Sequence, residues 1–301
     1  MPSPREIATD FLKARALVVS AATVRGDDWY LTRFFEFLRG FDVNEVQAVR
    51  EEHLDHYHAG LKNAVNRFGR PVSANYIYRA MMVPKIFLVW AREAGLTLLD
   101  FSGYRLEKPT KKAVTVPSVD CVARLLEAPD IATPEGLRDR LILEFFYTLG
   151  LRRRECHGLS VGDLDLRAET VLVAGKGYRE RLLPLSQRLV ELLTRYLWNA
   201  RLKLRPHPDE TALWVSPQTG RRLGYSYLHH LVVDLCAELG LKMRPHLLRH
   251  ACATHLLEAG ADIDVIQTLL GHKRAESTAL YTKVKPQELR MEFARCHPRA
   301  K

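Results

Sequence analysis

Six side chains in the latter part of the sequence have types and spacings suited to work on a phosphodiester. Arg152 follows Gly150-Leu151 and stands three residues before Glu155. Arg249 stands three residues after His246, a spacing that puts both on one helical face. Lys176 sits between Gly175 and Gly177, His272 follows Gly271, and Tyr281 comes nine residues after His272. A phosphodiester under attack gains negative charge on its non-bridging oxygens. Guanidinium groups match that charge, because each offers a planar fork of donors and stays protonated. A histidine exchanges protons near neutral pH. A lysine serves as an acid once neighbouring cations lower its pKa. A phenol, with a pKa near ~10, becomes a usable nucleophile beside cations. Taken singly, each of these residues has a plainer role. Arg152 opens the charged run Arg152-Arg153-Arg154, Lys176 suits a solvated turn, and Tyr281 is one of 11 tyrosines. His246 could pack at a helix start, and His272 could cap a helix end.

Glu155, at i+3 from Arg152, is placed to orient it. No acidic cluster resembles a two-metal site, and no Gly-rich loop ends in Lys-Ser/Thr. No metal, nucleotide or other cofactor is therefore expected. Cys121, Cys156, Cys236, Cys252 and Cys296 form no C-x-x-C pair, so reduced, mostly structural thiols are expected.

The elements that must hold these residues belong to an ordinary globular chain. Its 47% hydrophobic and 27% charged residues exclude disorder and low complexity. The longest nearly apolar stretch, Leu141 to Leu151, contains Glu144 and is too short to span a bilayer. The first residues lack an apolar signal-peptide core. The expectation is a cytoplasmic protein with no membrane partner. The net charge of +10 is uneven: residues 1–108 carry +2 and residues 109–301 carry +8. Such an excess points to a polyanion, usually nucleic acid.

The segment Glu107-Lys-Pro-Thr-Lys-Lys-Ala-Val-Thr-Val-Pro117 has two prolines and no helical period. Residues 109–117 are read as a linker between 1–108 and 118–301. The first part is read as four helices: near Ile7–Val18, Asp28–Leu38, Val46–Val65, and Asn75–Ala94 with a kink or break at Pro84. In the second part, Ser118 caps a helix over Val119–Leu126, and Thr133-Pro134 starts one that runs to Thr148. Thr170–Ala174 and Arg179–Leu183 flank a glycine-containing turn and read as a hairpin. Further helices are expected near 186–202, 224–239, 246–258, 262–270 and 286–295.

Four segments, in this order, resemble the tyrosine recombinases, also called the phage integrase family. They are Tyr147-Thr-Leu-Gly150-Leu-Arg152-Arg-Arg-Glu155 with Leu159 and Asp163-Leu-Asp165; Gly175-Lys176-Gly177 with Leu183-Pro-Leu185; His246-Leu-Leu-Arg249-His250; and Leu270-Gly-His272 with Tyr281-Thr282. The tail, Glu288-Leu-Arg290 to His297-Pro-Arg-Ala300, resembles the Xer type. The likeness covers 117–301 in motif detail and 1–108 only in size and helical character. Lys283 departs from a histidine often found two residues after the tyrosine, outside the catalytic set.

The resemblance implies a mainly α fold. A four-helix, SAM-like core-binding DNA domain (1–108) precedes a mixed α+β catalytic domain (118–301) with a small antiparallel sheet. It implies site-specific cleavage and rejoining of DNA through a 3′-phosphotyrosine and a Holliday junction. Arg152 and Arg249 would hold the phosphate, His246 would assist proton transfer, and Lys176 would protonate the leaving 5′ oxygen. His272 would bond the phosphate or nucleophile, Tyr281 would attack, and Glu155 would support Arg152. The implied partner is a double-stranded core site. The implied assembly is a homotetramer, or a heterotetramer with a homologous recombinase, on two sites. In Xer-type relatives the last helix docks into a neighbouring subunit; here the face of Leu289 and Phe293 would do so, or would pack back onto its own domain. Two other functions fit parts of the pattern. A catalytically idle accessory protein would lack at least one of the six residues, and all are present. A type IB topoisomerase shares the tyrosine chemistry but not the Xer-like tail.

Overall fold

The computed structural model describes residues 3–110, 115–175, 180–271 and 286–300. The chain divides into two compact units, Met1–Ala113 and Val114–Lys301. It is mostly helical with one small antiparallel sheet.

The first unit holds α1 (Pro4–Ala16), α2 (Ala21–Arg39), α3 (Glu51–Asn63) and α4 (Ala74–Glu93). Serines set three of the starts. Ser3 forms a capping box with Glu6, and Ser20 and Ser73 accept backbone N–H groups three residues on, from Thr23 and Tyr76. Phe11, Leu31, Phe34, Leu54, Met81, Phe87 and Leu88 form the buried centre. Three expectations need correction here. α2 starts at its Ser20 cap, well before Asp28, because the apolar spacing marked only its buried half. The helix read over Val46–Val65 is a 3₁₀ turn, Val46–Ala48, followed by α3. Arg50 is extended between them, and His53 Nδ1 accepts its N–H at 2.9 Å, which favours a fresh start. Of the kink or break read at Pro84, the break is not found: α4 continues through it, and Ala80, Met81 and Val83 before it and Phe87, Leu88 and Ala91 after it are all buried. Burial on both sides outweighs the lost backbone bond.

The second unit opens with α5 (Val119–Glu127) and α6 (Pro134–Tyr147), capped by Ser118 and Thr133. Every residue of α6 from Leu137 to Tyr147 is buried, so it forms the centre of this unit. The short α7 (Arg153–Gly158) leads to β1 (Leu164–Asp165), β2 (Thr170–Ala174) and β3 (Glu180–Pro184). The strands pair antiparallel in the order β1-β2-β3, one strand more than the hairpin expected, with Val173 opposite Arg181. Then come α8 (Gln187–Arg195), a π-helical turn (Tyr196–Ala200), α9 (Arg201–Lys203), α10 (Tyr227–Glu238), α11 (Pro245–Glu258), α12 (Ile263–Leu270) and α13 (Pro286–Cys296). All five cysteines are unpaired. Among the described residues, no helix is long and apolar enough to cross a membrane.

The last helix takes the second of the two places read for it, on its own unit. Leu289 and Phe293 are buried in the core of their own unit, where α13 packs on α12 and β3. Beyond it, buried His297 stacks on Phe293, and Arg299 pairs with Glu144 at 2.7 Å. In the single chain the apolar face is covered in cis.

Candidate active site

Two glycines let three segments converge. Gly150 ends the loop after α6 at φ +58°, and a Cβ there would meet Leu270 Cδ2 at 2.4 Å. Gly271 ends α12 in the left-handed region at φ +63°, with its Cβ position 3.2 Å from the Arg181 guanidinium. Both positions require a residue without a side chain.

Arg152 is the N-cap of α7. Its backbone N–H donates to Glu155 Oε2 at 2.9 Å and its Nη1 to Glu155 Oε1 at 2.7 Å. Its Nη2 reaches across to the carbonyl of Gly271 at 3.1 Å. Arg249, on α11, is 7% exposed. It donates Nη1 to the Gly150 carbonyl and Nη2 to the Leu270 carbonyl, the latter at 2.6 Å. Arg181, on β3, donates Nε to the Leu269 carbonyl at 3.0 Å. Its Nη1 and Nη2 clasp the two oxygens of Glu155 at 3.1 and 2.8 Å. Three successive carbonyls, Leu269, Leu270 and Gly271, thus each accept from a different arginine. These are the carbonyls that a helix end leaves without partners, at the negative pole of its dipole.

The charges are uneven. Burial favours the neutral form of Glu155, but hydrogen bonding and charge from Arg181, then hydrogen bonds from Arg152, hold its carboxyl below the ordinary value. Arg249 is pulled down to about 10, first by burial and next by the Arg152 charge. Among the described residues, three guanidiniums face one carboxylate here. Such a cluster attracts an anion, and a phosphate oxygen offers acceptor sites for planar donors.

Of the residues singled out from sequence, Arg152, Glu155 and Arg249 come together. His246 lies in the first turn of α11, exposed to solvent, one turn before Arg249. His250, set aside as structural, is also exposed. Lys176, His272 and Tyr281 lie outside the described residues. Of the rest of the arginine run, Arg153 sits 4.1 Å from the centroid of the Tyr225 ring, away from Glu155's bonds. Sequence reasoning missed Arg181, which it treated as one residue of a strand. Period-two alternation carries the signal: Arg181 shares a strand face with Leu183, which is fully buried, so its side chain starts inward.

The model of the phage integrase family matches residues 118–288. The tyrosine recombinase XerD of Staphylococcus epidermidis is 38% identical over 195 residues, covering 64% of this chain and 66% of that relative. Against that relative, the chain thus spans just under two thirds of the length. The XerD recombinase of Mycobacterium tuberculosis is 32% identical over 291 residues, 94% of each chain. Among solved structures, the Tn1549 transposon integrase in complex with transposon right end DNA aligns with a TM-score of 0.69 at 16% identity, over 98% of this chain and 99% of that one. The XerH recombinase bound to palindromic difH substrate gives 0.66 at 21% identity, over 91% and 79%. These two likenesses concern the fold. With the matched model over more than half the sequence and a relative aligned along nearly its whole length, the chain belongs to the phage integrase family of tyrosine recombinases and is Xer-like.

Proposed function

We propose that the chain is a site-specific recombinase that cuts and rejoins double-stranded DNA through a covalent tyrosine intermediate. The observation that carries this is the convergence of Arg152 and Arg249 on the end of α12, the point from which the chain runs on to His272 and Tyr281. The Tyr281 oxygen attacks the scissile phosphorus while the bond from phosphorus to the 5′ oxygen breaks. Lys176 gives that oxygen a proton, leaving a free 5′ hydroxyl and a 3′-phosphotyrosine. His246 assists the phenol's deprotonation, and His272 bonds the phosphate or the phenol. Arg152 and Arg249 take up the extra charge of the pentavalent species, with Glu155 orienting Arg152. A 5′ hydroxyl from the partner duplex then attacks the phosphotyrosine and restores the phenol. Two such exchanges pass through a Holliday junction without a metal or nucleotide.

Residues 1–108 serve as the core-binding part, 109–117 as the linker and 118–301 as the catalytic part. The excess of +8 over residues 109–301 supplies phosphate contacts. Two core sites brought together by a tetramer, in the cytoplasm, complete the reading. The test is a nicked duplex that releases the cut fragment and traps the adduct. The protein should become covalently attached, and Tyr281→Phe should bind the site without attaching. Attachment by the phenylalanine variant would assign the nucleophile elsewhere, and no attachment by the unaltered protein on its own site would overturn the function.

A further inference from the structure

We propose that Arg181 is a positioning residue for DNA cleavage: it divides Glu155 with Arg152, so that Arg152 is aligned but not consumed by its acid. This rests on the proposed phosphate role of Arg152. Glu155 is 7% exposed, and its oxygens are occupied by two guanidiniums and one backbone N–H. Arg152 takes one oxygen with a single terminal nitrogen, and Arg181 takes both with two. Arginine and carboxylate otherwise favour a fork-to-fork pair. With Arg181 gone, nothing on β3 would keep Arg152 from closing that fork on Glu155 and turning donors away from an incoming phosphate.

The second half of the arrangement is its attachment. Arg181 also donates to the Leu269 carbonyl, one residue before the carbonyl held by Arg249 and two before the one held by Arg152. Its side chain is only 13% exposed and lies against the Cβ position of Gly271. One guanidinium therefore links three elements: β3, the acid on α7 and the C-terminal end of α12. Arg181 adds a charge to the cluster without reaching solvent as freely as Arg152, whose side chain is 38% exposed. This places Arg152 toward the substrate side and Arg181 behind it.

The test is a double-mutant cycle on adduct formation by the full chain on the nicked duplex, with site affinity measured in parallel. Arg181→Ala should slow adduct formation on the order of 100-fold, the scale of a misplaced catalytic group, with affinity nearly unchanged. In an Arg152→Ala background, the same change should cost less than roughly threefold, because nothing remains to position. Arg181→Lys, which keeps a charge but cannot fork, should recover only part of the rate. Equal factors in both backgrounds would show an independent structural lesion and overturn the proposal, as would a full rate for Arg181→Ala. Should Arg181→Ala fail to fold, the same cycle run with Arg181→Lys decides by the same criterion. Absence of adduct from the unaltered protein would count against the proposed function itself, a separate outcome.

Discussion

Two groups of buried charge in the second unit use the same residue types and are balanced differently. Around α6, Arg138 pairs with Asp139, while Arg140 and Arg299 share Glu144 and Glu127. Each arginine there has an acid. At the end of α12, Arg152, Arg181 and Arg249 have Glu155 alone among the described residues, and main-chain carbonyls supply the other acceptors. The first group is complete within the fold. Breaking such a buried pair costs far more than the pair contributes, since a charge is left stranded. The second keeps an excess of cation: Arg249 is pulled down first by burial and next by the Arg152 charge, with no acid of its own in hydrogen-bond contact among the described residues. A balanced cluster holds a fold; an unbalanced one has capacity left for an anion.

The largest expected effect tests the balanced group. Glu144→Ala would leave Arg140 and Arg299, among the described residues, only the exposed Glu127 at 3.9 and 3.3 Å and should cost about 3–5 kcal/mol of stability in urea unfolding. Adduct formation per folded molecule should not change. Lost cleavage with retained stability would erase the distinction between the two groups.

Arg152→Ala and Arg249→Ala make the opposite prediction. Each should slow cleavage about 10²–10³-fold, roughly 2.7–4 kcal/mol, as removal of an oxyanion donor does. Each should destabilise the unit less than Glu144→Ala does, because no buried charge is stranded: Glu155 keeps both bonds from Arg181. Arg153→Ala, which removes only the guanidinium over Tyr225, should keep most of the rate. Equal damage from Arg153→Ala would dissolve the separation within the arginine run.

A smaller effect titrates the balanced region alone. His297 is pulled down to about 3, first by burial, with the charges of His255 and Arg299 acting the same way. Its ring faces Tyr147, Phe293 and the Arg299 backbone. The depressed value means that the stability is full above the ordinary histidine pKa, near ~6.5, and is lost as pH falls from there toward 3. The slope should approach about 1.4 kcal/mol per pH unit below ~6.5. Unfolding at pH 7 and pH 5 should show this loss, and His297→Phe, which keeps the stacking, should flatten it. An equal slope in the variant would place the titrating group elsewhere.

Much of this was legible from side-chain types and spacing, and the failures follow a pattern. Caps and prolines located helix starts well where a serine or threonine stood at the border, as at Ser118 and Thr133. The start at Ser20 was missed because Thr23, Val24 and Arg25 carry no apolar period of their own. Arg152, Glu155 and Arg249 were found through local spacing and motif order. Arg181 was not, because its partners, Glu155 and Leu269, lie 26 and 88 residues away. For α13, amphipathicity told that Leu289 and Phe293 need a partner surface; in the single chain that surface is their own unit's.

The most direct test of the excess-cation account changes the charge of the substrate and not of the protein. A nicked duplex carrying a neutral methylphosphonate at the scissile position develops less negative charge in the transition state. If Arg249 serves to hold that charge, the roughly 10²–10³-fold defect of Arg249→Ala on ordinary DNA should shrink to within about tenfold on the methylphosphonate, measured as the rate of covalent adduct formation. A defect of the same size on both substrates would contradict the account and make Arg249 a support for the Gly150 loop and the end of α12 only.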